Sequence, residues 1–314
     1  MLISLLTKNS ILLLNVSRRL YILVWRKLRK RLKCILTEIL PQDELAYIYN
    51  SYDIVGDIAI LRLTDTSKKH ASIIAEAIMN IHKNVKTVLA QTSPVCGDFR
   101  LRKLEYVAGE NKTATIHRES NCLFSVDVAK CYFSPRLFHE RMRVAKQTGN
   151  EEIVVNMFAG VGCFSIVIAK YSNVKKVYSI DINPEAVQSI RKNISMNRAY
   201  GKVVPLLGDA KEIVEKNLCR MADRVLMPLP EKAYEYLPYA LSALKETGGW
   251  VHYYDFEHAE KGENPIEKVN SKVAEGLKGL NIKFEIPFCR VVRTTGPNWH
   301  QIVLDIRIFS ENVL

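Results

Sequence analysis

A regular alternation of strand and helix patterns after Glu151 is the feature that most constrains the fold of this chain. Runs of apolar and β-branched residues predict strands at 153–157, 176–180, 203–207, 224–227 and 250–254. Helical spacing predicts helices at 164–170, 184–197, 211–218, 231–244 and 265–277. Alternating βα units predict a parallel, doubly wound sheet with helices on both faces. Two final strands, at 283–292 and 300–309 with no helix between them, predict an antiparallel hairpin at one sheet edge.

The chain before Glu151 has a mixed pattern that predicts a smaller α+β domain. Strands are predicted at 53–63 (with a break at Gly56), 85–89, 99–107, 113–117 and 123–128, and a helix at 70–84. Residues 147–150 are polar and predict a linker. The sequence therefore predicts the α/β class with three segments: an N-terminal extension (1–35), a small α+β domain (36–148) and a Rossmann-like domain (149–314).

The first 35 residues combine an apolar stretch with a basic run at 26–33. Lys8, Arg18 and Arg19 interrupt the apolar stretch, so it is far shorter than the roughly 20 residues that cross a bilayer. The charges follow the apolar region and no small-residue cleavage site is visible, which argues against a secretory signal. We expect an amphipathic helix with a phosphate-facing basic end; the alternative is a leader without a packed structure.

Charge and cysteine usage narrow the partner and the compartment. Forty-five Lys and Arg against 33 Asp and Glu give a net charge of +12, which slightly favours a polyanionic partner such as nucleic acid. The seven cysteines include no CxxC pair, so no zinc or redox motif is indicated, and no metal site is predicted. Dispersed free thiols fit a reducing cytoplasm.

The clearest chemical signal is a glycine loop after the first predicted strand of the Rossmann-like domain. The run 155–164 (VNMFAGVGCF) leads from a strand through Gly160 and Gly162 into a helix. In a doubly wound sheet a ligand lies beyond the carboxyl ends of the strands, beside this turn. Glycines there allow a ligand to approach the backbone closely. A GxG alone also suits a structural turn or a dinucleotide site.

Three further features follow the next strands in order. Asp181 ends the second strand and can accept both ribose hydroxyls, and Asp209 follows the third and can bind an adenine amino group. Pro228-Leu229-Pro230 follows the fourth, where a methyltransferase holds its target base. Each acidic residue alone has about even odds of being only a helix N-cap. Together the features favour a methyl donor, S-adenosyl-L-methionine, over NAD, although a dehydrogenase stays open.

These residues, with others, resemble the archaeal and eukaryotic-type tRNA (guanine-37-N1)-methyltransferases from about residue 36 to the C-terminus. The resemblance rests on 97–105 (GDFRLRKLE), 126–137 (VDVAKCYFSPRL), 140–143 (ERMR), 156–162 (NMFAGVG), 181–184 (DINP) and 252–254 (HYY). It implies a small α+β domain joined to a Rossmann-like class I methyltransferase domain. It also implies methylation of N1 of guanosine 37, in the tRNA anticodon loop, by a monomer with no obligate protein partner.

The resemblance assigns roles that the chemistry of guanine N1 explains. The N1 proton must be removed during methyl transfer, and negative charge then develops on O6. By the family's pattern Glu140 is the base and Arg100 the O6 partner. The cofactor contacts implied are Phe158, Ala159, Gly160, Val161, Gly162, Asp181, Ile182, Asp209 and Ala210, and the substrate contacts are Arg136, Pro228, Leu229 and Pro230. Without the family, Glu140 would be interpreted as a surface ion pair with Arg136 or Arg143.

Three departures from the family pattern qualify these expectations. Asn156 replaces a usual acidic residue, which leaves open a non-catalytic tRNA-binding relative. Pro228 replaces the usual Asn and removes a side-chain hydrogen bond. This variant is similar to an archaeal branch that also methylates C7 of 4-demethylwyosine, so a second activity on that base is a hypothesis. The 35 residues before the shared region do not resemble the family's N-terminal module, and the basic run 26–33 is the expected substitute for its tRNA contact.

Two other hypotheses stay open at this point. The target of methylation could be another RNA base, a protein or a small molecule, although the net charge and the Pro-Leu-Pro loop count against the last two. Arg290 and Arg293, with Trp299 after them, form a C-terminal stretch that could contact RNA. For Trp299 burial in the core is the expectation, by about two to one on the burial tendency of aromatics.

Overall fold

The computed structural model describes residues 32–310, and these form two compact units. The first unit comprises the described residues up to Pro94 together with Arg102–Thr113, and the second comprises Val95–Leu101 together with the residues from Ala114. Residues 114–148, which the sequence analysis grouped with the small domain, thus share contacts mainly with the second unit. The functional domain boundaries stay a prediction. The predicted N-terminal helix lies in residues 1–31, outside the described part.

A four-stranded sheet and a helical layer make up the first unit. Its strands are β1 (Tyr52–Val55), β2 (Ile58–Arg62), β3 (Thr87–Gln91) and β4 (Leu104–Gly109), and its helices are α1 (Leu32–Leu36), α2 (Gln42–Leu45) and α3 (Ala71–Ile81). The sheet order is β1-β2-β3-β4, with β2 and β3 parallel and the outer pairs antiparallel. One face of α3, with Ile74, Ala75, Ala77 and Ile78, is buried in the core, and Leu32 and Leu36 of α1 belong to the same core.

The second unit begins with a hairpin and a helix that precede its main sheet. The hairpin is β5 (Ala114–Glu119) with β6 (Cys122–Asp127), and the helix is α4 (Phe138–Gln147). Helix α6 (Pro184–Asn197) holds the hairpin through its side chains. Asn193 accepts a hydrogen bond from the backbone N–H of Ser125, and Asn197 accepts one from that of Leu123. The first strands after residue 113 are therefore held against α6 of the second unit.

The main sheet has seven strands in the order β12-β13-β11-β10-β7-β8-β9. They are β7 (Ile153–Asn156), β8 (Lys176–Asp181), β9 (Val203–Leu207), β10 (Arg224–Met227), β11 (Gly248–His258), β12 (Phe284–Gly296) and β13 (Trp299–Phe309). The helices between them are α5 (Cys163–Tyr171), α6, α7 (Ala210–Ile213, continued by a π-helical turn to Leu218), α8 (Ala233–Ala243) and α9 (Pro265–Gly279). The doubly wound class is confirmed, since β7 to β11 are parallel.

The predicted C-terminal hairpin is also confirmed, because β13 pairs antiparallel with both β11 and β12. The central strands are apolar on both faces, as strands covered by helices on both sides must be. Val155, Val225 and Val251, on three neighbouring strands, are completely buried. Strand order reverses between β7 and β10, and this switch point is where a doubly wound sheet opens a ligand crevice.

Two expectations from the sequence are wrong. The predicted strand at 99–107 begins only at Leu104, and residues 95–101 form a loop in which Arg100 has a φ of +54°. Trp299, expected in the core, is 46% exposed because it lies at the turn between β12 and β13. No helix among residues 32–310 is long and apolar enough to span a membrane.

Candidate active site

A cavity in the second unit opens at the carboxyl ends of β7, β8, β9 and β10. Its walls come from the loops that follow these four strands, the 95–101 loop, and the segment that leads into α4. The four loops are the ones in which the sequence analysis located the cofactor and base-binding residues. The site is therefore built where strand polarity and the switch point place it.

The glycine loop after β7 turns the chain at once into α5. Gly160 and Gly162 have φ values of +56° and +86°, a region in which side chains are strained. A Cβ on Gly162 would lie 3.2 Å from Cγ1 of Ile190 on α6. The two glycines thus allow the sharp turn between β7 and α5. Phe158, Ala159, Gly160 and Val161 line the cavity, whereas Gly162 does not.

Asp181, at the end of β8, connects the loops. Its carboxylate accepts hydrogen bonds from the backbone N–H of Gly160 (2.7 Å) and of Asn183 (2.9 Å). The N-cap of α6 is Asn183, so Asp181 is not a helix cap. Burial raises the pKa of Asp181 to about 6, although the two N–H donors oppose this shift. A partly buried carboxylate with a raised pKa at a cavity wall is a candidate ligand-binding group.

Asp209, after β9, caps α7 and also faces the cavity. Its carboxylate accepts hydrogen bonds from the backbone N–H of Lys211 (2.8 Å) and from the hydroxyl of Tyr236 (2.9 Å). The N-cap interpretation of Asp209 is thus correct without excluding a ligand contact. Ala210 and Ile182 add apolar surface to the same wall, and Ile182 is 42% exposed.

Arg100 reaches the cavity from the 95–101 loop. Its guanidinium lies 4.5 Å from the ring centroid of Tyr132, and Nη1 is 3.0 Å from Oε2 of Glu231. A second ion pair, Lys232 with Asp98 at 2.8 Å, joins the same loop to the residues after the Pro-Leu-Pro segment. Nε of Arg100 is buried and has no hydrogen-bond partner among the described residues. Because an unpaired buried donor is costly, this N–H is suited to meet a ligand acceptor.

Glu140 is buried beside the cavity, with 1% of its side chain exposed. Nη2 of Arg143 (3.0 Å) and the hydroxyl of Tyr254 (3.0 Å) bond to Oε2, and Nη2 of Arg290 bonds to Oε1. Burial raises the pKa of this carboxyl, but Arg143 and Arg290 outweigh burial and hold the pKa below its usual range. The ion pair with Arg143 was anticipated as the alternative interpretation, yet the pair lies in the interior rather than on a helix surface.

The Pro-Leu-Pro segment presents apolar surface. Pro228 and Leu229 line the cavity, whereas Pro230 does not. Glu140 and Arg136, predicted as catalytic and substrate-binding residues, do not line the cavity. Their neighbours Leu137 and Arg141 do. Most of the site residues predicted from the sequence thus line one cavity, and their roles stay predictions.

Several residues at the site were missed. Tyr132, Lys232 and Tyr236 line the cavity, and Tyr254 bonds to Glu140. Tyr132 and Tyr254 stand inside the quoted family motifs, which was the one available signal. Asn156, the departure from the family pattern, is buried below the glycine loop and donates to Oγ of Ser165 at 3.2 Å. Among the described residues no group of His, Cys, Asp and Glu side chains is arranged to hold a metal ion.

Comparison with known proteins gives two domain matches. Residues 115–282 match the TRM5/TYW2 methyltransferase domain, and residues 32–113 match the TYW2 N-terminal domain. The tRNA (guanine(37)-N(1))-methyltransferase Trm5b of Pyrococcus abyssi is 41% identical over 85% of this chain and 78% of its own length. The tRNA 4-demethylwyosine(37)-methyltransferase Taw21 of Saccharolobus solfataricus is 36% identical over 83% of this chain and 94% of its own.

Solved structures of Trm5 and TYW2 proteins are also similar to this chain. The complex of aTrm5 with tRNALeu superposes with a TM-score of 0.76 at 36% identity, covering 87% of this chain and 76% of that one. The structure of Pyrococcus horikoshii TYW2 with MeSAdo superposes with a TM-score of 0.72 at 27% identity, covering 90% of this chain and all of that one. Both similarities extend over most of the chain and not only over the sheet.

Proposed function

The chain belongs to the TRM5/TYW2 methyltransferase family, and we propose that it transfers the methyl group of S-adenosyl-L-methionine to N1 of guanosine 37 in tRNA. The main support for the proposal is the position of Arg100. This residue has an unpaired Nε among the described residues and lines the same cavity as the glycine loop and Asp181. A donor for a base oxygen and a cradle for the methyl donor thus belong to one space.

The residues present fit S-adenosyl-L-methionine. Asp181 uses its carboxylate oxygens for two backbone N–H groups, and each oxygen keeps a second lone pair for a ribose hydroxyl. Ile182, Ala210 and Phe158 supply the apolar walls that an adenine ring needs. Gly160 has a φ of +56°, which a residue with a Cβ rarely adopts, so glycine allows this turn of the loop at the cavity wall. When bound, the sulfonium group supplies an electrophilic methyl carbon.

The chain's own residues would do the rest of the chemistry. Arg100 donates to O6 of the guanine and stabilises the negative charge that develops there. Glu140 accepts the N1 proton as the new N–C bond forms and the S–C bond breaks. Pro228 and Leu229 form an apolar surface against which the base lies. The tRNA substrate in this proposal is consistent with the net charge of +12.

A second activity, methylation of C7 of 4-demethylwyosine at position 37, is supported by one feature. Pro228 and Pro230 have no side-chain hydrogen-bonding group, so the segment sets few polar demands on the edge of the base. The similarity to Taw21 points in the same direction. Cytoplasmic location and the monomeric state stay predictions.

The test is methyl transfer from labelled S-adenosyl-L-methionine to two tRNA transcripts that differ only in guanine or adenine at position 37. We expect the guanine transcript alone to be methylated, with 1-methylguanosine found by nucleoside mass spectrometry. Methylation of both transcripts, or of another position, would contradict the proposal. The same assay on tRNA that carries 4-demethylwyosine decides the second activity, and no turnover there would refute it.

A further inference from the structure

The carboxylate of Glu140 is fully engaged by three elements. Arg143 of its own helix α4 and the hydroxyl of Tyr254 on β11 bond to Oε2, and Arg290 on β12 bonds to Oε1. With 1% of the side chain exposed, water does not compete for these contacts. Nε of Arg143 also lies 3.3 Å from Oε1 and 3.1 Å from Oε2, so each oxygen already accepts more than one hydrogen bond. One of its partners must leave before it can take a proton.

The two arginines differ in how firmly they are held. Arg143 also bonds to both carboxylate oxygens of Asp305, to Oε1 of Gln147 at 3.1 Å, and lies 4.7 Å from the ring centroid of Phe288. Arg143 therefore has several interactions that do not involve Glu140.

Arg290 has a different environment. Among the described residues Glu140 is its hydrogen-bonding and ionic partner, and no other is found. Its side chain is 41% exposed, and its Nε is buried and without a partner in this part of the chain. Of the two arginines, Arg290 therefore has fewer other interactions that hold it in place.

Arg143 is also part of a further network of charged groups. Asp305 on β13 accepts a hydrogen bond from His252 (2.6 Å), and His252 bonds to Arg224 (2.7 Å). In the described part of the chain none of these three forms a hydrogen bond or an ion pair with Arg290. Removing Arg290 would leave Arg143 shared between the carboxylates of Glu140 and Asp305, and burial would then raise the pKa of Glu140.

We propose that Arg290 exchanges Glu140 for a backbone phosphate of the tRNA as the RNA docks. The carboxylate of Glu140 is then released to accept the N1 proton only when the substrate is in place. This inference rests on the proposed function. A phosphate suits the site because a guanidinium binds phosphate with two parallel hydrogen bonds, which here would include the unpaired Nε. The same strand also approaches the cavity, since Nη1 of Arg293 donates to Oγ of Ser134 on the cavity wall. Arg290 is therefore a positioning residue.

The first measurement is tRNA binding as a function of salt, without S-adenosyl-L-methionine, for the full chain and the variants Arg290→Gln and Arg290→Lys. Loss of one phosphate contact lowers the slope of log Kd against log salt by roughly 0.7 to 0.9. We expect that decrease for Arg290→Gln and an unchanged slope for Arg290→Lys. Arg220→Gln is the matched control, because Arg220 forms an exposed ion pair with Glu246 in the same unit. An Arg290→Gln slope equal to that of the control would overturn the proposal.

The second measurement is the pH dependence of methyl transfer, because a merely structural role would not move it. The profile of kcat/KM reports groups of the free enzyme, and that of kcat reports groups of the complex. For Arg290→Gln we expect the acid limb of kcat/KM at higher pH than in the wild type, and KM for tRNA raised about tenfold. The acid limb of kcat should coincide in both proteins, because Arg290 has left Glu140 in either complex.

Two outcomes would contradict the exchange. A kcat limb that moves together with the kcat/KM limb would mean that Arg290 stays on Glu140 during the reaction. Coincidence of all limbs would mean that Arg290 does not act through Glu140 at all. If neither protein methylates guanine, the proposed function fails, and the salt dependence still decides whether Arg290 contacts a phosphate. Thermal melting of each variant verifies that it is folded.

Discussion

Asp181 allows a sharp test of the proposed ribose contact, because its pKa lies inside an accessible pH range. Burial raises this pKa from 3.8 to about 6. A ribose hydroxyl must donate to the ionised carboxylate, so ligand affinity should fall as the pH drops below 6. At pH 5.0 about one carboxyl in ten is ionised, and the Kd should be roughly tenfold weaker than at pH 7.5.

The probe should be 5′-deoxy-5′-methylthioadenosine, which keeps the adenine and ribose and lacks the titratable amino acid. Isothermal titration calorimetry at pH 7.5 and 5.0 gives the two dissociation constants. Asp181→Asn provides the matched control, since it keeps the shape of the side chain and removes its titration. We expect this variant to bind at least about tenfold more weakly at pH 7.5 and to show no pH dependence.

The stability of the free protein is the companion measurement. The native state binds the Asp181 proton more tightly than the unfolded chain does, so ionisation of this group costs about 3 kcal/mol of unfolding free energy above pH 6. Asp181→Asn removes that cost and loses one acceptor for a backbone N–H, worth about 1–3 kcal/mol. The two nearly cancel, so affinity should fall without loss of stability. A wild-type Kd that is the same at both pH values would refute the reasoning, as would an Asp181→Asn variant with a tenfold pH effect.

The other predictions concern the proposed catalysis and the framework. In single-turnover assays Arg100→Ala should slow methyl transfer about 10²- to 10³-fold, and a near-normal rate would exclude the O6 role. Asp305→Asn should lower the free energy of unfolding in urea by about 3–5 kcal/mol because it breaks a buried ion pair. In the wild type, His252 and Arg143 outweigh burial and hold the pKa of Asp305 low. The stability of the wild type should therefore fall as the pH drops below about 4. Gly162→Ala should destabilise more than Gly201→Ala, since both have positive φ but only the former brings a Cβ to 3.2 Å from Ile190; equal costs would show that this contact relaxes.

The sheet and the ligand crevice could be predicted from the sequence because they depend on local signals. Apolar runs and helical spacing repeat along the second unit. Because β7 to β11 are parallel, the loops that follow them lie at the same edge of the sheet. Gly160, Asp181, Asp209 and Pro228 follow four such strands, so they had to converge. Glycine at Gly162 is also a local signal, since positive φ and the proximity of Ile190 both exclude a side chain.

The position of Arg100 could not be predicted in the same way. Alternation of residue types at 99–107 predicted a strand, but the chain adopts a φ of +54° at Arg100 and forms a loop. An alternating pattern of apolar and polar residues does not indicate a positive φ at a residue other than glycine. Such a φ depends on contacts with distant parts of the chain. Here these contacts are the ring of Tyr132 and the carboxylate of Glu231, on two other segments.

Arg290 illustrates the limit most clearly. Strand β12 was predicted, yet its pairing with β13 shifts register between Glu285 and Phe288, before Arg290 is reached. Because a one-residue slip turns every later side chain to the opposite face, no count along the strand can tell whether Arg290 faces solvent or Glu140. The structure directs it at Glu140, 150 positions away along the chain. The direction of the Arg290 side chain thus depends on an irregularity of the sheet. Removing the register shift from β12 should therefore uncouple RNA docking from release of Glu140, even if Arg290 itself is kept.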